Sequence, residues 1–126
     1  MVVRSRFAQV RGHGSARSGA AEHWRMKLTS YALLPLTLFL IGLVVALAGE
    51  EHPTIAATLG QPYVALPLFF FVFVNAVHMR LGMSEIIEDY VHSKLWKTAA
   101  VAGNIFFSYA TAAAAAFALL KLSIGV

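Results

Sequence analysis

The chain has 126 residues, a formal net charge of +4, 59% hydrophobic and 13% charged residues, and no cysteine. So apolar a composition excludes an ordinary soluble domain. The lack of cysteine excludes disulfides, cysteine-ligated iron–sulfur clusters and thioether-attached haem on this chain. Nucleic-acid binding is a poor reading of the basic balance, because membrane topology explains where the cations lie and no aromatic-interleaved basic patch occurs.

The first stretch, "MVVRSRFAQVRGHGSARSGA", is rich in Gly, Ser and Arg. It reads as irregular until a partner orders it. Its first 21 residues hold no acid, so a transit peptide is one reading and a basic cytoplasmic tail the other. Residues 1–27 are set apart as a basic N-terminal cytoplasmic segment, and residues 28–123 as a three-helix transmembrane anchor domain.

Three stretches carry no Asp, Glu, Lys or Arg: between Lys27 and Glu50, between Glu51 and Arg80, and between Lys97 and Lys121. Each exceeds the ~20 residues a helix needs to cross the hydrocarbon core. Membrane-spanning helices are predicted over about 28–48, 62–88 and 98–120. The first enters through "EHWRMKLTSYALLPL", with Trp24 suited to the headgroup belt. Pro35 and Pro67 are each expected near the start of a helix, where early amides lack intrahelical partners anyway.

"AGEEHPTIAATLGQP" reads as an outer loop. It carries Glu50, Glu51 and His52 but no Lys or Arg. Arg4, Arg6, Arg11, Arg17, Arg25 and Lys27 precede the first helix, and Lys94 and Lys97 follow the second. The positive-inside rule then puts the N-terminus and the 89–97 loop on the cytoplasmic side, or the matrix side in a mitochondrion. An odd number of spans sends the C-terminus outward.

The third helix, rich in Ala, Gly and Ser, suits close helix packing in lipid, although a plain lipid-facing anchor has the same look. No internal repeat or inverted pair of broken helices points to a transporter. Three helices with polar groups on the second one make an incomplete object, and a second membrane subunit is the simplest supply of what is missing. The fold class is therefore an all-α membrane protein with three transmembrane helices, one half of a heteromeric bundle.

Chemistry concentrates at the end of the second helix, in "VHMRLGMSEIIEDYVH". At about 100° per residue, His78, Gly82, Glu85 and Asp89 share one stripe within about 60°, with Asn75 at its edge. His78 lies well inside a hydrophobic span, where an imidazole needs a hydrogen-bond partner or a metal. Gly82, one turn on, leaves room for something flat such as a porphyrin. His13, His23, His52 and His92 fall at or outside the interfaces, so if His78 binds a six-coordinate haem, the second axial ligand must come from another chain; a histidine bonded to a neighbouring helix is the other reading. Arg80 faces away and can snorkel or pair with glutamates of its own helix. Asp89 and Tyr90 follow His78 by roughly 16 Å, at ~1.5 Å per residue. A phenol and a carboxylate at the interface can hold and protonate a quinone, although interfacial tyrosine is also common.

"HMRLGMSEIIEDYVH" resembles the hydrophobic membrane-anchor subunit of succinate dehydrogenase. That family places a glycine four residues after a histidine and an Asp-Tyr pair, then Val, from eleven residues after it. His78, Gly82, Asp89, Tyr90 and Val91 match. "GSARSGAAEHWRMKLTSYALLPL" is similar to the family's first-helix entry, and the "IEDYVH" version looks alphaproteobacterial. The resemblance implies that His78 is one axial ligand of a haem b shared with a companion cytochrome b subunit. It implies that Tyr90 and Asp89 contact ubiquinone, and that Lys27 stands where an arginine usually faces the haem propionates. FAD and iron–sulfur clusters would sit on the flavoprotein and iron–sulfur subunits. The place would be the bacterial inner membrane. A quinol:fumarate reductase anchor, a haem-free structural subunit in which His78 only bonds a neighbouring helix, and a homodimeric b-type cytochrome remain rival readings.

Overall fold

The computed structural model describes the backbone of residues 15–125 and the side chains of 19–125. The expectations for residues 1–14, including a transit peptide, lie outside the described residues. The described chain is four helices: α1 Ser15–Leu47, α2 His52–Leu59, α3 Pro62–Tyr90 and α4 Lys94–Ile124. Three of them are long and apolar enough to cross a membrane, over Gly19–Leu47, Pro62–Tyr90 and Lys94–Ser123. The protein is an all-α integral membrane protein.

Two local expectations change. Residues 15–20, expected to be irregular, are helical and continuous with the first span. Alanines there favour helix, and nothing between Ser15 and Lys27 breaks it. Pro35 is therefore not an early-turn proline. It sits in the middle of α1, and its missing N–H leaves the Tyr31 carbonyl without its helical donor. Pro67 lies in the second turn of α3, whose first residue is Pro62.

The outer segment is also not simply a loop, because it contains α2. Pro53 stands at the helix start, where its fixed φ helps and no N–H is lost. Gly60 ends this helix hard against α4, and a Cβ there would lie 2.7 Å from the Leu122 carbonyl oxygen.

Packing follows two stripes. On α1, Met26, Thr29, Leu33, Leu36, Leu40, Leu43 and Leu47 recur in alternating steps of three and four, and each is partly buried in a helix otherwise largely exposed. That is the seam of two nearly antiparallel helices. It meets α3, since Thr29 bonds His78 at one end while Leu40 and Leu43 pack on the cluster of Val64, Leu68 and Leu119 at the other. On α4, Asn104, Ser108, Ala112 and Leu119 are the buried residues. The small side chains among them bring α4 close to the other side of α3. There Asn104 Nδ2 donates to the Arg80 carbonyl at 2.9 Å and reaches Ser84 Oγ at 3.3 Å.

α3 thus lies between α1 and α4, and the extensive interhelical contacts of the spans run through it. The result is an open layer rather than a closed bundle. No residue of the most apolar stretch of the first span is buried.

Candidate functional site: a histidine seam and an exposed Asp-Tyr tip

His78 is partly buried, whereas His23, His52 and His92 are exposed. Its Nδ1 stands 2.9 Å from Thr29 Oγ1 of α1. The same hydroxyl lies 2.7 Å from the Arg25 carbonyl and 3.0 Å from that of Met26. Among the described residues the ring makes no other hydrogen bond. Gly82, one turn on, faces Met26, whose Cε would be 3.8 Å from an added Cβ. The stripe of His78 and Gly82 therefore looks onto the entry turn of α1, and the room beside the imidazole is bounded by a flexible thioether. Toward the α2 end, an apolar groove of about 360 Å³ opens between α1 and α3. Thr29, Phe69, Phe70, Phe73, Val74 and Val77 are among its walls.

Along α3 the stripe becomes wet. Glu85, Glu88, Asp89 and Tyr90 are all exposed. Tyr90 is the last residue of α3 and is 78% exposed. The following three residues turn the chain into α4, and Lys97 Nζ donates to the Glu88 carbonyl at 3.4 Å. A lysine there suits the negative end of the α3 dipole. Antiparallel packing gathers Arg25, Lys27, Lys94 and Lys97 at this end, and Glu50, Glu51 and His52 at the other.

Lys27 is exposed. Two residues at about 100° each carry it to the side of α1 opposite Thr29, whereas Arg25, four residues before Thr29, shares its side. Arg80 is partly buried, with its Nε enclosed and unpartnered among the described residues. Sequence reasoning counts Thr29 within the first-helix entry without giving it a role, and does not single out the Asn104–Ser84–Ser108 group. Threonine in a helix bonds its own turn so often that only its partner, 49 residues away, makes it notable. Asn104 and Ser108 do carry a signal, being polar residues one turn apart in an apolar span.

Over residues 1–120 the chain matches the family described as succinate dehydrogenase/fumarate reductase transmembrane subunit. The chain belongs to that family. It is 34% identical over 114 residues to the succinate dehydrogenase hydrophobic membrane anchor subunit of Paracoccus denitrificans, covering 90% of this chain and 88% of the relative. The corresponding subunit of Rickettsia bellii (strain RML369-C) is 30% identical over 105 residues, covering 82% and 83%. The succinate dehydrogenase membrane anchor subunit of Reclinomonas americana is 32% identical over 81 residues, covering 62% and 68%. No solved structure gives a significant match.

A membrane anchor of the succinate dehydrogenase/fumarate reductase family works with partner subunits, which suits a layer so open. Among the described residues no cluster of three or more His, Cys, Asp and Glu could hold a bare metal ion. One imidazole does suffice for iron that already has four nitrogens from a macrocycle. The donor set of this anchor therefore fits a haem and does not fit a free ion.

Proposed function

We propose that this chain is the anchor subunit of a succinate:ubiquinone oxidoreductase, that it supplies one axial ligand to a haem b, and that it forms one wall of the ubiquinone-reduction site. The observation that carries the proposal is His78, held within a span by Thr29 on α1 with its second ring nitrogen uncommitted. Family membership supplies the context. The second axial ligand would come from the companion cytochrome b subunit. FAD would belong to the flavoprotein subunit, and the iron–sulfur clusters to the iron–sulfur subunit, since this chain has no cysteine to ligate them. The N-terminus would be cytoplasmic and the membrane the bacterial inner membrane.

A bound haem supplies a one-electron store. His78 would hold it in place and tune it, and α1 would fix the imidazole through Thr29. Tyr90, at the end of the same helix, donates its hydroxyl proton in a hydrogen bond to a quinone carbonyl. That donor strengthens as negative charge grows on the oxygen, so it lowers the barrier more than it tightens binding. Asp89 beside it accepts protons from water and passes them toward the quinone, which takes up two protons with two electrons. Both groups are exposed in this chain, so a partner surface must close the pocket over them. Lys27 would reach haem propionates only by its long stem, because it leaves α1 on the side away from Thr29.

The test is the visible spectrum of the purified complex. Wild type should show b-type absorption, and His78→Ala should lose or strongly alter it. A wild-type complex without that absorption, or an unchanged spectrum in the variant, would defeat the haem assignment.

A further inference from the structure

We propose that Thr29 is a positioning residue for His78: its hydroxyl accepts the Nδ1 proton, fixes the tautomer and presents Nε2 as the ligand atom. This rests on the reading of His78 as a haem ligand.

A hydroxyl has one proton, and three acceptor candidates surround that of Thr29: the Arg25 carbonyl at 2.7 Å, the Met26 carbonyl at 3.0 Å and His78 Nδ1 at 2.9 Å. Carbonyls only accept. If Thr29 gave its proton to Nδ1, two oxygen lone pairs would face each other at 2.7 Å with nothing between them. The arrangement free of that repulsion sends the proton to a carbonyl and leaves an oxygen lone pair for Nδ1–H. Nδ1 then carries the ring's proton, and Nε2 has its lone pair free.

Thr29 is well placed for such a role. It is the one polar residue in the α1 seam, at the point where the stripe of Met26, Thr29, Leu33 and Leu36 crosses α3. Backbone bonding within its own turn limits its rotamer, so the oxygen is a fixed acceptor. Ligating histidines are commonly oriented through the nitrogen that does not bind the metal. A donated Nδ1–H also makes the imidazole a stronger electron donor. That favours the oxidised iron and lowers its reduction potential.

The experiment uses the purified, haem-loaded complex with Thr29→Val, which keeps the shape and removes the hydroxyl, and Thr29→Ser, which keeps the hydroxyl. The readouts are haem content, haem reduction potential and the low-spin ferric EPR signal. Thr29→Val should raise the potential and shift the EPR signal, while Thr29→Ser should match wild type. Loss of haem in the valine variant with retention in the serine variant supports the proposal equally. Wild-type potential and EPR in a loaded valine variant overturn it. So does a serine variant as damaged as the valine one, because the methyl rather than the hydroxyl would then matter. A wild-type complex without haem defeats the reading of His78 itself, which separates that failure from failure of the Thr29 assignment.

Discussion

At the scale of single residues, position along α3 decides what each polar group can do. His78 sits where a polar ring must find partners, and Tyr90 sits where the helix ends and water or a lipid-soluble oxidant can approach. Tyr90→Phe deletes one hydroxyl from a side chain that is 78% exposed in this chain, so its effect on folding should be small. Its effect on quinone reduction should be large, about 100- to 1000-fold in kcat, the order expected for a lost donor to developing negative charge. Steady-state quinone reduction, read beside an unchanged haem spectrum, checks this. Full turnover in the variant would remove Tyr90 from the pocket. His78 stands out in the sequence because it breaks an apolar run, whereas the Asp-Tyr tip draws attention only through its spacing from His78 in the family resemblance, since an interfacial tyrosine is common. Thr29 is not legible, because its meaning lies in a contact across 49 residues, and no local pattern encodes which seam position faces the imidazole.

At the scale of helices, the three spans are legible from charge-free length alone, and their ends are not. α1 starts upstream of the apolar run because alanine-rich sequence continues a helix without needing hydrophobicity. α2 is hidden within a segment that reads as loop because eight residues give too little periodicity, and its contact with the end of α4 at Gly60 is a tertiary event. The α3–α4 pair is joined by polar glue within an otherwise apolar seam. Asn104 donates to the Arg80 carbonyl and to Ser84, and the buried Ser108 reaches Asn104 Oδ1 at 3.5 Å. Such interhelical bonds in membranes contribute roughly 0.6 to 2 kcal/mol. Asn104→Ala should destabilise the complex by about that amount, seen as a lower thermal midpoint in detergent, with haem and quinone turnover retained below it. An unchanged midpoint would show that small-residue packing alone holds α4 in place.

For the whole molecule, the dominant fact is that α3 is covered on two sides while α1 and α4 leave broad apolar surfaces open. Leu34, Leu38 and Val45 on one flank and Phe106 and Phe117 on the other are all more than 60% exposed. Lipid covers such surfaces well, but if the tip of α3 holds a quinone as proposed, its exposed carboxylates and phenol need protein beside them to close the pocket. Orientation then decides which soluble subunits can dock there. Arg25, Lys27, Arg80, Lys94 and Lys97 lie toward the Tyr90 end and Lys121 at the other, so the positive-inside rule predicts that the Tyr90 end faces inward. The absence of cysteine makes this directly measurable, because a single introduced thiol has no background in this chain. Ser93 in the α3–α4 turn and Thr54 in α2 are both exposed. In spheroplasts, a membrane-impermeant maleimide should label Thr54→Cys at once. Ser93→Cys should react only after permeabilisation, and more slowly in the intact complex than in one stripped of its soluble subunits. The reverse pattern would turn the anchor over and place the Tyr90 tip on the wrong side of the membrane for electron delivery from inside the cell.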